Sequence, residues 1–231
     1  MENNKQIIQE ALKLIEKWFG EEQYDFENTT KALADKMNHI LPNMIVSPEP
    51  HIAVPAAKYA SYCAGDEKLH HLCINLLASS MNKMTRKEVH PGFVEVIKQL
   101  CGDEVEFLKY MAKSHSIPTL NIVYENKDRL EATILKDFSL VPQLAGCKEK
   151  YESEFYIDNL VRLGLVARSD NNKKSLDDQE YLPLIQDEFV QRRLSKDMIE
   201  SYGFTSYRLE EGFIDLTAYG KRFCALCIDI F

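Results

Sequence analysis

EVHPGFVEVIKQLCGDEVEFLKYMAK, Glu88 to Lys113, is the stretch whose reading decides the fold. Phe93, Val94, Ile97 and Leu100 recur at helical spacing, as do Val105, Leu108, Tyr110 and Met111, with Gly102-Asp103 as a break between the two sets. The spacing predicts two helices end to end. Pro91 suits the first turn of the first, where its missing N–H would be unpaired in any case, and Asp103 can cap the second by accepting from free amides. Each helix carries one apolar stripe that other segments must cover. The surrounding chain is therefore expected to be a helical bundle.

Upstream, Ile7, Ile8, Leu12, Ile15 and Trp18 or Phe19 predict an amphipathic helix over residues 5–19, ended by Gly20. A second helix is expected from about Thr30 to Leu41, with Asn28 or Thr29 as cap, Ala34, Met37, Ile40 and Leu41 on one side, and Pro42 as its stop. Pro48, Pro50 and Pro55 follow closely; the first two imply an extended entry and the third the first turn of a helix to about Cys63. Asp66–Lys83 predicts a central helix, because Leu69, Leu72, Cys73, Leu76, Leu77 and Met81 build a wide apolar face beside the small Ala78, Ser79 and Ser80.

After Lys113 the pattern changes. IPTLNIVYENKD, residues 117–128, is rich in β-branched residues and reads as a strand. Helical character is expected over about Arg129–Lys136, over Glu149–Leu163 with Gly164 as the stop, over Leu182–Tyr202 and over Thr217–Ile230; short strands are expected at Leu165–Ser169 and Phe213–Leu216. The order NLVRLGLV (159–166), polar insertion, strand and DLTAYGKRFCALC (215–227) follows the second half of a winged helix-turn-helix. The expected architecture is mainly α: a helical bundle over 1–116, then a winged-helix-like domain with a small β-sheet over 117–231, carrying a helical insertion near 178–202.

Composition narrows the function classes. The chain has 231 residues and a formal net charge of −8, a balance that repels a phosphate backbone. Even Lys148–Gly164 holds three basic residues against four acidic ones, and Asp103 to the C-terminus holds 17 against 23. A DNA clamp is thus disfavoured relative to a protein-contact module. No run of roughly 18 apolar residues lacks a charge, and the first 20 residues interleave acidic and apolar positions; a cytoplasmic protein with no membrane segment is expected. The six cysteines, Cys63, Cys73, Cys101, Cys147, Cys224 and Cys227, are scattered, as reduced thiols are.

Residues capable of chemistry each have a plainer explanation. Cys63, His70, His71 and Cys73 lie within eleven residues, but only His70 and Cys73 share a helix face and no recognised zinc spacing is met. His90 before Pro91 reads as a helix cap, and the Cys224-Ala-Leu-Cys227 pair as small buried residues on a helix. His115 between Ser114 and Ser116 lacks the strand-turn context of a nucleophile. Glu104 with Glu106, and Glu210 with Glu211, read as solvated pairs. No catalytic, cofactor-binding or metal-binding residue is predicted, and a non-enzymatic protein is expected.

The run from about Pro55 to Leu108, with VPAAKYASYCAGDEKLHHLCINLLASSMNK (54–83) followed by VHPGFVEVIKQLCGDEVEFLKYM (89–111), resembles the bacterial Abi-alpha (abortive infection alpha) family. That family's typical pattern is a helix ending LLAxxMD followed by HPxFVEIIKQLSPDEAxIL. NLVRLGLV and DLTAYGKRFCALC also look like its C-terminal portion, so the likeness spans about residues 50–231. The sequence departs at Cys101-Gly102, where Ser-Pro is usual, and at Asn82, where Asp is usual. The resemblance implies a role in phage resistance and supplies no catalytic residues. The expectation is a defence component acting through a protein partner or a phage component, with a homo-oligomer also compatible; the alternative is a DNA-binding regulator using the winged element.

Overall fold

The computed structural model describes residues 26–228 apart from 39, 64 and 171–176, together with Glu10, Lys13, Leu14 and Lys17. The helix expected over 5–19 otherwise lies outside the described residues. The chain is mainly helical with one four-stranded antiparallel sheet in its second half. It divides into two compact units, residues 1–105 with 222–231, and residues 106–221.

In the first unit, α1 (Phe26–Met37), α2 (Pro50–Tyr62), α3 (Glu67–Ser80) and α4 (Gly92–Ile97) pack together, with α3 central. Asp66 caps α3, its Oδ1 accepting from the Lys68 and Leu69 amides at 3.1 and 3.2 Å. Leu72, Cys73, Leu76, Leu77 and Met81 are buried as the spacing predicts, and so are Phe93, Val94, Ile97 and Leu100. The small residues at the end of α3 let another helix end approach. Asn75 Nδ2 donates to the Cys227 carbonyl at 3.0 Å and Ser79 Oγ to the Leu226 carbonyl at 2.9 Å, satisfying acceptors that a helix C-terminus leaves open.

Three boundaries differ from expectation. α1 begins at Phe26, so Asn28 and Thr29 lie inside it, and Leu33 and Met37 carry its buried face while Leu41 is exposed. α2 begins at Pro50, where a proline loses nothing, and Pro55 sits in its interior, where it has no N–H to donate to the carbonyl four residues back. The helix after the Gly102 break, α5 (Gly102–Lys113), starts before Asp103; Glu104 reaches back to accept from the Cys101 amide at 2.7 Å, and Asp103 occupies the first turn. For α4, His90 Nδ1 accepts from the Gly92 amide at 3.0 Å. His90→Ala is expected to lower stability by about 1 kcal/mol, the worth of a lost cap, read as a small shift in a denaturant melt.

The second unit holds β1 (Ile117–Glu125), β2 (Glu131–Phe138), a short α6 (Val141–Leu144), α7 (Ser153–Arg162), β3 (Val166–Asp170), α8 (Leu182–Gln186), α9 (Glu188–Arg193), α10 (Lys196–Ser201), β4 (Ser206–Leu216) and the start of α11 (Ala218–Cys227). The strand order is β2-β1-β4-β3. The helix expected over Arg129–Lys136 is a strand instead. Its apolar positions fit either period over so short a run, and pairing with β1 decides the matter, Thr133 opposite Val123 and Leu135 opposite Ile122. The single helical region expected over Leu182–Tyr202 is three helices, because Asp187 and Ser195 take extended backbone and start new ones. These helices cover one sheet face, where Leu120, Ile122, Tyr124, Phe138, Leu184, Val190 and Ile199 form the core.

The two motifs NLVRLGLV and DLTAYGKRF are one piece of structure. Gly164, at φ +73°, ends α7: its amide bonds to the Val161 carbonyl and the Leu165 amide to the Leu160 carbonyl, the pair of bonds that closes a helix on a left-handed residue. Thr217 Oγ1 then donates to the exposed Gly164 carbonyl at 2.6 Å and accepts from the Gly220 amide at 2.9 Å, so one hydroxyl caps α11 and ties it to the end of α7.

Candidate functional site: the charged seam of the curled sheet

β2 and β3 are the outer strands of the sheet, yet their side chains meet. Arg168 on β3 donates through Nε to Asp137 Oδ2 on β2 at 2.8 Å and through Nη2 to Asp158 on α7. Lys136, next to Asp137, donates to the same Asp158 at 3.0 Å and lies 3.8 Å from Glu154. α7 thus sits against both edges, and the seam of Lys136, Asp137, Glu154, Asp158 and Arg168 joins the ends of a sheet that has curled towards closure.

A backbone irregularity aims Asp137 across the seam. Between Leu120 and Ile122 of β1 the register advances two residues, while β2 advances three, from Phe138 to Leu135. The extra residue is a bulge, and Asp137 takes φ +50°, a left-handed conformation that aspartate tolerates better than most residues. Its amide donates to Asn121 Oδ1 at 2.7 Å, so the irregular backbone keeps a partner, and its side chain is only 8% exposed.

A second knot lies on the same sheet face. Arg208 on β4 reaches Glu131 at 2.8 Å, Glu210 at 3.0 Å and Glu125 at 3.3 Å. The register places Arg208 opposite Val123, Glu210 opposite Asn121 and Ile214 opposite Arg168, so these positions share one face. Together the two knots set six carboxylates against three cations, an acid-rich surface on an acidic chain. The hydrogen bond from Arg208 holds the Glu131 carboxyl below its usual range, and the same bonds raise the guanidinium. Burial pushes Asp158 up, but the bonds from Lys136 and Arg168 outweigh it and leave its pKa lowered.

That direction fixes a pH dependence. A carboxylate with a depressed folded-state pKa stabilises fully above its unfolded value, about 3.9 for aspartate, and loses that contribution as the pH falls through the lower folded value. Thermal melts are expected to show stability falling below about pH 4, with Asp158→Asn flattening part of this acid limb. Because Asp158 is half exposed, the flattening should be modest and should shrink in high salt.

Apart from Glu210, the residues singled out by sequence lie elsewhere. Cys63 and Cys73 are buried near one another, and burial raises both thiols; His70 shares a 3.4 Å contact with Thr29 Oγ1 and burial lowers its pKa, while His71 is exposed. Burial pushes Cys224 up to about 12 and Cys227 well above the ordinary range, as protonated thiols rather than a reactive pair. Among the described residues no three His, Cys, Asp or Glu side chains group as metal ligands. Ser116 Oγ donates to Asp215 and Ser114 Oγ to the Tyr110 carbonyl, with His115 exposed between them. Glu210 belongs to the Arg208 knot, and Glu106 pairs with Lys109 at 3.2 Å. Sequence spacing does not single out Lys136, Asp137, Asp158 or Arg168. The signal that could have found the first two is Thr133-Ile134 following a strand after a short Asn-Lys-Asp loop, which marks a hairpin.

The family model for abortive infection alpha matches residues 21–227. The chain belongs to the abortive infection alpha family. The match begins well before the region near residue 50 where the resemblance is visible by eye, so α1 is part of the Abi-alpha unit. No curated protein matches the chain. A solved structure of an uncharacterized protein from the hydrocarbon-degrading marine bacterium Alcanivorax borkumensis SK2 is similar, at 14% identity and a TM-score of 0.40, covering 62% of this chain and 94% of that one. No described helix of this Abi-alpha protein is long and apolar enough to cross a membrane.

Proposed function

We propose that this protein is a non-enzymatic, cytoplasmic phage-defence component of the abortive-infection type that acts through protein contacts. Membership of the abortive infection alpha family carries the reading. The acid-rich sheet face supports a contact role: its carboxylates outnumber its cations, its polar groups are held in place by ion pairs, and a partner with basic side chains would complement it. The experiment is phage plating on cells with and without the gene, alongside a variant carrying Glu125→Gln, Glu131→Gln and Glu210→Gln. Plaque counts should drop with the intact gene and recover with the variant at unchanged melting temperature. Equal counts with and without the gene across a broad phage panel would sink the reading.

A DNA-binding regulator is the second reading. It is favoured by the order of α7, β3, β4 and α11, in which an antiparallel strand pair follows the helix as a wing would. It predicts affinity for duplex DNA that falls steeply as salt rises, and no binding at about 50 mM salt would remove it.

A further inference from the structure

We draw no further inference here: the strongest candidate, the surface patch of exposed Leu130, Tyr202 and Tyr207 beside the buried Tyr124 at the β1–β2 hairpin end of the sheet, is an unpartnered apolar face, and nothing in the structure shows what covers it.

Discussion

Gly220→Ala should lower the stability of the second unit by about 3 kcal/mol or more, at or above the upper end of ordinary overpacking. A Cβ built on Gly220 would lie 2.0 Å from the Leu165 carbonyl oxygen and 2.8 Å from its carbon, which is overlap with backbone and not with a side chain that could rotate away. Neither partner can yield cheaply. The Leu165 carbonyl accepts from the Thr217 amide at 3.0 Å, the Gly220 amide donates to Thr217 Oγ1, and Leu165 is itself tied to the Leu160 carbonyl by the bond that closes α7. Moving α11 away would break this cap, so the overlap and the lost bonds add. Thermal denaturation and soluble yield check it. A melting temperature within about 2 °C of the parent protein would show that the close approach of α11 to Leu165 does not exist.

Phe93→Ala should be comparably severe in the first unit. Phe93 is fully buried and meets Phe223 edge to face with ring centroids 5.4 Å apart, so its loss removes both a large apolar area and a favourable ring contact. Truncating a buried phenylalanine usually costs about 3 to 5 kcal/mol, a large share of the roughly 5 to 15 kcal/mol that holds a domain folded. The melting temperature should fall by on the order of 15 °C, with reduced soluble yield. His90→Ala, one turn away at the exposed cap, gives the contrast. If the two substitutions had equal effects on melting, Phe93 would not be the core residue its burial implies. If His90→Ala abolished phage protection at unchanged melting temperature, His90 would have a role beyond capping.

Much of the first unit was legible in the sequence, because its helices are long enough for apolar spacing to identify the buried face. Leu69 to Met81 and Phe93 to Leu100 illustrate this: each position marked there by the 3.6-residue period is buried, and the Asp66 cap stands where the pattern begins. The family, too, was readable in local motifs, and the geometry now explains part of them. Gly164, Thr217 and Gly220 stand in NLVRLGLV and DLTAYGKRF where a left-handed helix end, a capping hydroxyl and a backbone-to-backbone crossing demand those residue types. What only the tertiary structure decided is the sheet and its seam. Glu131–Phe138 is too short for its period to distinguish strand from helix, so pairing with β1 chose, and the register shift that turns Asp137 inward exists only once that pairing is made. Arg168 meets Asp137 across 31 residues because the sheet curls until its outer strands approach, and no local spacing encodes a contact between the two ends of a sheet.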